Sequence, residues 1–193
     1  VDLASVSDLT ALSVMIPYDG KYYFKNYYYL PESALENNSN SELYKQWKRE
    51  GLLTITSGNV TDYDWIIRDL KKISEKVYID KIAYDQYNST QWAIDCTTEG
   101  FPIVPFSQAL WSFNRPTKEL ERLIKSGKVV IDDNQINRYC FRNLTLKIDH
   151  NENVKPVKSN AMSMDKIDGV IAMIEALGIM LEQPQFNNEI LSI

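Results

Sequence analysis

Val1-Asp2-Leu3-Ala4 opens the chain as an apolar stretch that carries one carboxylate, and two later segments repeat this pattern: Lys81-Ile82-Ala83-Tyr84-Asp85 and Lys166-Ile167-Asp168-Gly169. Each acidic residue stands at the edge of a predicted strand or helix, where a side chain can face outward from a rigid element. The segments are far apart in sequence, so only the fold can bring the three carboxylates together. Converging carboxylates with no basic partner nearby are suited to a pair of hard divalent cations. These segments predict a metal site.

Length and composition indicate one ordinary globular domain. The 193 residues are 44% hydrophobic and 24% charged, which is typical of such a domain. The net charge of −5 argues weakly against a protein that coats nucleic acid, although an acidic metal site contributes to that sum. No apolar run is long enough to span a membrane, and no signal peptide is recognisable. Cys96 and Cys140 predict buried, reduced thiols in a cytoplasmic protein. Because the chain starts inside a predicted strand, we expect a domain cut from a longer protein.

Local patterns predict alternating strands and helices. Polar, Pro and Gly residues at 17–20 predict a hairpin between strands 8–16 and 21–29. Further strands are predicted at 52–56, 77–84, 101–105, 129–131, 144–148 and 154–157. Helices are predicted at 41–50, 59–77, 88–100, 117–126, 135–141 and 165–181. The helix at 59–77 has a capping-box pattern in Thr61 and Asp64. An antiparallel opening followed by this alternation predicts an α/β fold with a mixed sheet flanked by helices.

Each of the three acidic residues also has an ordinary structural explanation. Asp168 near a helix start favours the helix dipole. Asp85 after a strand is suited to open a turn, and Asp2 is compatible with an exposed strand end. With 26 acidic residues in the chain, spacing alone does not select this trio.

Three motifs together resemble the nuclease domain of the large terminase subunits of tailed bacteriophages and prophages. The segment 1–12 resembles the opening strand and turn of that family. Ile82-Ala83-Tyr84-Asp85-Gln86-Tyr87-Asn88 resembles its second acidic motif. The closing motif of the family is similar to Lys158, the segment 166–172 and Ala176-Leu177-Gly178. Asn143, before the last predicted hairpin, also agrees with the family pattern. The resemblance covers nearly the whole chain.

The resemblance implies a ribonuclease H-like domain over residues 1–182, followed by a C-terminal tail at 183–193. It implies two Mg²⁺ or Mn²⁺ ions, with Asp2 bridging both, Asp85 on one and Asp168 on the other. Asp165, three residues before Asp168 on the same predicted helical side, and Asp8 are further candidate ligands. Family members carry an ATPase domain ahead of this one. No phosphate-binding Gly-x-x-x-x-Gly-Lys-Ser/Thr loop occurs here, so we expect that domain to be absent from this chain.

The expected partner is double-stranded DNA, cut without strong sequence preference in the cytoplasm of the bacterial host. Lys158 is the favoured phosphate contact among four lysines on or near the final hairpin and closing motif: Lys147, Lys155, Lys158 and Lys166. A helical ridge that includes Lys118 and Arg122 is a second candidate, although an ordinary solvated helix face is the favoured explanation. The full protein is expected to contact a small terminase subunit and the capsid portal, and no membrane.

Two other readings remain open from the sequence. One is a different ribonuclease H-like nuclease of the resolvase or transposase type, which would differ in preferring branched DNA. The other is a non-catalytic module that docks on a packaging machine, which would show no metal dependence. Histidine chemistry has little support, because His150 lies in a predicted polar turn.

Overall fold

The structure is a computed structural model that describes residues 1–4, 8–36, 38–87, 89–159 and 165–182. The strands are β1 Thr10–Tyr18, β2 Lys21–Pro31, β3 Thr54–Thr56, β4 Ile82–Asp85, β5 Ile103–Phe106, β6 Val129–Ile131, β7 Leu144–Ile148 and β8 Val154–Lys158. The helices are α1 Ser41–Arg49, α2 Asp64–Ser74, α3 Thr90–Thr98, α4 Leu110–Lys125, α5 Gln135–Arg142 and α6 Asp168–Leu181. A short 3₁₀ helix covers Glu32–Leu35. The predicted tail at 183–193 lies outside the described residues.

The first two strands form the predicted hairpin. β1 and β2 pair antiparallel from Thr10 opposite Tyr29 to Tyr18 opposite Lys21. The turn between them has Asp19 at φ 47° and Gly20 at φ 71°. Two consecutive residues with positive φ match the right-handed twist of the strands, which is why Asp-Gly is favoured in two-residue hairpin turns.

β2 is the centre of a mixed sheet. One edge pairs antiparallel with β1, and the other edge pairs parallel with β6 near its start and with β3 near its end. Two smaller sheets accompany it: the parallel pair β4–β5 and the antiparallel pair β7–β8. The predicted mixed sheet flanked by helices is therefore confirmed.

Helices cover both faces of the sheet. Neighbouring strand residues point to opposite sides, so each face carries apolar side chains that a helix can bury. Leu12 and Tyr29 pack in a core with α2 and α3, which contribute Ile66 and Trp92 among others. The preceding residues, Ala11 and Tyr28, together with Phe24 and Leu30, pack in the second core. That core also contains the buried side chains of α1, α4, α5 and α6.

α6 is buried on nearly all sides, whereas the sequence predicted a helix with one apolar face. It packs against β1, α4, α5 and β4. Two glycines allow this close approach. A Cβ on Gly169 would lie 2.0 Å from the hydroxyl oxygen of Tyr28, and one on Gly178 would lie 2.5 Å from Cε2 of Phe106.

An apolar cleft of about 340 Å³ separates β1 from β4. It is lined by residues 12–17 of β1, 77–83 before and within β4, and side chains of α2 and α6. Val1 closes one end of the cleft: its backbone nitrogen donates to the carbonyl oxygen of Ala83 at 2.6 Å. Asp2 and Ala11 exchange two backbone hydrogen bonds of 2.9 and 3.0 Å. The opening residues therefore join the β1–β2 sheet to β4.

Two predictions about where helices begin are wrong. The capping box does not form, since α2 starts at Asp64 without a side-chain cap and Thr61 Oγ1 is buried without a hydrogen-bond partner. α4 begins at Leu110, seven residues before the predicted start, and continues through Pro116 because Phe113 and Pro116 are buried with the later apolar residues. Packing of these side chains outweighs the hydrogen bond that proline removes.

Three minor expectations were also tested. Cys96 and Cys140 are free and buried, as predicted. His150 is exposed in the turn between β7 and β8. No helix in the described part of the chain is long and apolar enough to cross a membrane.

Candidate active site

Asp2 lies where the opening residues pass between β1 and β4. Its backbone is fixed by the hydrogen bonds to Ala11, and its side chain is partly buried. Burial raises the pKa of Asp2 well above its ordinary value, and the nearby carboxylates of Asp168 and Glu175 raise it further. Residues from both ends of the chain are thus brought close enough to repel one another.

Asp168 is the first residue of α6, and it is 8% exposed. Burial raises the pKa of Asp168 to about 7, with a further contribution from Asp8, while Lys158 and Lys166 oppose the rise. A carboxylate that served only the helix dipole would be stabilised in its charged form. Its Oδ2 atom is buried and has no hydrogen-bond partner in the described structure. The helix-dipole explanation therefore does not account for this residue.

Asp85 ends β4, and it makes the turn contact that its ordinary explanation predicts. Its Oδ1 atom accepts a hydrogen bond of 3.0 Å from the backbone nitrogen of Tyr87. Its charge also interacts with the buried Glu175. Asp85 therefore stabilises a turn and also interacts with Glu175, which in turn interacts with Asp2. These three carboxylates and that of Asp168 form the acidic cluster.

The acidic cluster is not a preformed metal cage. Among the described residues, no three His, Cys, Asp or Glu side chains are arranged closely enough to hold a metal ion. The donor chemistry nevertheless fits hard cations, since Asp2, Asp85 and Asp168 offer carboxylate oxygens and one buried oxygen of Asp168 is unpartnered. The ligand roles assigned to these residues stay predictions.

Two basic residues lie beside the acidic cluster. Asp8 accepts an ion pair from Lys166 at 2.5 Å and has Lys158 at 3.8 Å. These ion pairs are made to Asp8 and not to the predicted trio, because the segment before α6 and the end of β8 fold onto Asp8. This pairing satisfies much of the charge of Asp8. Lys166 is only 7% exposed, while the Lys158 side chain keeps 33% of its surface accessible.

Asp165 does not share a helical side with Asp168, so that expectation is wrong. Residues 165–167 are not helical, and α6 begins only at Asp168. Asp165 interacts electrostatically with Tyr139 of α5. Ile167, which flanks the start of α6, has its side chain buried in the core.

The second predicted DNA-binding ridge lies on α4. Lys118 is exposed. Arg122 makes two hydrogen bonds to Glu119, at 2.8 and 2.7 Å, and interacts with Tyr22 at the start of β2. Tyr22 pairs with Pro17, near the end of the hairpin opposite to the Asp2–Ala11 bridge. Arg122 is therefore far along the sheet from the acidic cluster.

Glu175 is the functional candidate that the sequence interpretation missed. It is fully buried on α6, seven residues or two turns after Asp168. Its Oε1 atom accepts a 2.9 Å hydrogen bond from Nε2 of Gln108, and its Oε2 atom lies 3.4 Å from the Val1 nitrogen. The available signal was a single acidic residue inside an otherwise apolar helix.

Comparisons with known proteins agree with this architecture. The family described as "Terminase large subunit, endonuclease domain" matches residues 1–183. The chain is 29% identical to the large terminase subunit of Enterobacteria phage HK97 over 183 residues, or 92% of this chain and 36% of that protein. It is 33% identical to Protein YmfN of Escherichia coli K12 over 145 residues, or 74% of this chain and 31% of that protein.

A solved structure gives the same result. The crystal structure of the HK97 bacteriophage large terminase matches with a TM-score of 0.82 at 28% identity, covering 92% of this chain and 38% of that one. The predicted ribonuclease H-like fold is confirmed by this likeness. The chain spans about a third of the length of the curated relatives it matches.

Proposed function

The chain belongs to the family of terminase large subunit endonuclease domains, and from this premise we propose that it is a metal-dependent endonuclease that cuts double-stranded DNA during phage genome packaging. One observation carries the proposal. The partly buried Asp2, fixed by its hydrogen bonds to Ala11, repels the buried Asp168, whose Oδ2 atom has no hydrogen-bond partner in the described structure. Buried like charges that are costly to the fold are typical of a functional site.

Asp2, Asp85 and Asp168 would hold two divalent cations, Mg²⁺ or Mn²⁺. When bound, such a pair of cations activates a water molecule and stabilises the leaving oxygen of a phosphodiester. The unpartnered, buried Oδ2 atom of Asp168 supports this assignment, because a cation would satisfy it. Cation binding would also offset the repulsion that raises the pKa of Asp2 and Asp168.

Other residues would fix the geometry of these carboxylates and contact the DNA. The hydrogen bond from Tyr87 orients Asp85. The ion pair with Lys166 holds Asp8 near Asp168, and Lys158, at the end of β8, is the more accessible of the two lysines for a backbone phosphate. Asp8 would then tune the site electrostatically, whereas Asp165 interacts with Tyr139 of α5. Lys118 and Arg122 would contact only DNA that continues along α4.

The biological setting follows from the family. The domain would act in the cytoplasm of the bacterial host, as one part of a longer packaging protein that includes an ATPase domain. Its expected partners are double-stranded DNA, a small terminase subunit and the capsid portal. The family assignment favours this setting over a resolvase or transposase.

The test is conversion of supercoiled plasmid to nicked and linear forms in Mg²⁺, Mn²⁺ or EDTA. Wild type would be compared with Asp85→Asn and with Asp64→Asn, an exposed residue of α2 that serves as a charge-matched control. We expect metal-dependent cutting by wild type and the control, and none by Asp85→Asn at an unchanged melting temperature. Equal cutting by all three proteins, or cutting that persists in EDTA, would refute the proposal.

A further inference from the structure

Lys155, on β8, is a basic side chain held beside the acidic cluster. Its ammonium donates a hydrogen bond to the backbone carbonyl of Gln108 and lies 4.9 Å from the centre of the Phe113 ring. Its charge interacts with that of Asp85. Lys155 is absent from the ion pairs found among the described residues, whereas Lys158 and Lys166 both face Asp8.

A chain of contacts connects Lys155 to the interior. The side-chain amide of Gln108 donates to Glu175 at 2.9 Å, and Glu175 is fully buried on α6. Gln108 therefore makes two hydrogen bonds: its side chain donates to the buried carboxylate of Glu175, and its backbone carbonyl accepts from Lys155. Glu175 in turn interacts electrostatically with Asp2 and Asp85. Through this chain of contacts, α6 fixes the position of one cation at the edge of the cluster.

Resting on the proposed nuclease function, we propose that Lys155 is a substrate-positioning residue whose ammonium binds a phosphate of the DNA backbone next to Asp85, and that Gln108 and Glu175 hold it there. The ammonium has three donors, and Gln108 takes one of them. An acidic cluster repels DNA phosphates, so a fixed cation at its edge would offset that repulsion and set the position of the strand. The exposed Lys147, opposite Lys155 in the β7–β8 pairing, would extend the same basic surface.

The test measures DNA affinity and turnover separately. Binding of a fluorescent duplex would be followed by anisotropy in Ca²⁺ across a salt titration, and cleavage kinetics would be followed in Mg²⁺. We expect Lys155→Gln to weaken binding about tenfold, as for the loss of one charge-assisted contact, and to reduce the salt slope by about one. KM should rise by a similar factor, while kcat changes much less.

Matched variants separate positioning from net charge and from folding. Lys21→Gln removes one charge at the exposed hairpin tip, far from the cluster, and should behave as wild type. Lys155→Arg should retain most of the affinity, and Gln108→Ala should lose part of it, with melting temperatures recorded for each. Equal binding and salt slopes for Lys155→Gln and Lys21→Gln would overturn the proposal.

The failure of this proposal can be told apart from failure of the nuclease function. If wild type does not cut DNA in Mg²⁺ but Lys155→Gln still lowers affinity and salt slope, the nuclease assignment fails and the phosphate contact stands. If wild type cuts and Asp85→Asn does not, while Lys155→Gln matches wild type in both assays, the nuclease assignment stands and the phosphate contact fails.

Discussion

Replacing Asp168 with asparagine should make the protein more stable at alkaline pH while removing its activity. The folded-state pKa of Asp168 is raised from 3.8 to about 7, chiefly by burial. Between about pH 4 and pH 7 the folded state therefore holds more protons than the unfolded state, so stability falls as pH rises through this window. Each pH unit is worth about 1.4 kcal/mol, which gives a cost on the order of 4 kcal/mol above pH 7.

The asparagine keeps the size of the side chain and removes the charge. We expect wild type and Asp168→Asn to have similar free energies of unfolding at pH 4, because the carboxyl is then largely protonated. At pH 8 the variant should be more stable by roughly 2 to 4 kcal/mol, a range that allows for an imperfectly bonded buried amide. Mg²⁺ should stabilise wild type at pH 8 and should have little effect on the variant.

Urea denaturation in EDTA from pH 4 to 8, repeated with Mg²⁺ at pH 8, measures these differences. Asp64→Asn is the matched control, because Asp64 is also the first residue of a helix but is exposed. It should lose about 0.5 kcal/mol from the helix dipole. Parallel stability–pH curves for wild type and Asp168→Asn would show that ionising the buried Asp168 does not destabilise the fold. The explanation of the acidic cluster by burial and charge repulsion would then be refuted.

Three further predictions concern the support of the site. Gly169→Ala should destabilise the protein by about 1 to 3 kcal/mol in urea denaturation, because the new Cβ would overlap Tyr28. An unchanged urea midpoint would mean that Tyr28 moves freely. Lys166→Met removes the charge that opposes the raised pKa of Asp168, so that pKa should rise further and the metal-dependent cleavage profile should shift to higher pH. An unshifted profile would contradict this. Gly20→Ala should lower the free energy of unfolding by about 1 kcal/mol, since φ is 71° there, and should leave cleavage unchanged. Loss of activity would show that the hairpin tip reaches the site.

The sequence predicted the sheet because its signals are local. The Asp-Gly turn and the apolar runs around it predict β1 and β2 directly, and the apolar run before Asp85 predicts β4. The predicted opening strand at residues 1–4 is wrong, because Asp2 pairs only through an isolated bridge to Ala11. α4 was predicted too short because Pro116 normally ends a helix. Only the packing of Phe113 and Pro116 in the core, which is a tertiary effect, allows the helix to start at Leu110.

The acidic trio was identified by its resemblance to known motifs, whereas Glu175 and the contacts around the trio were not. Glu175 is separated from Gln108 by 67 residues, and Asp8 from Lys166 by a still longer span, so no local pattern predicts either contact. Asp165 was placed on the helix because its spacing from Asp168 suited one. The start of α6 instead follows the burial of Ile167, which depends on the finished core.

The cleft between β1 and β4 leaves the β4–β5 pair attached to the larger sheet through side-chain packing, because no strand of the described chain fills the gap. On the edge of β1 that faces β4, the described residues pair only at Ala11, and the hydrogen bond from Val1 to Ala83 joins the two sheets. Opening of β4 and β5 would carry Asp85 away from Asp2 and Asp168 while the larger sheet stays folded. Local unfolding of this kind costs less free energy than global unfolding. The fraction of time in which Asp85 lies beside Asp2 and Asp168 would then be set by a local equilibrium. Amide hydrogen exchange should accordingly be faster in β4 than in β2.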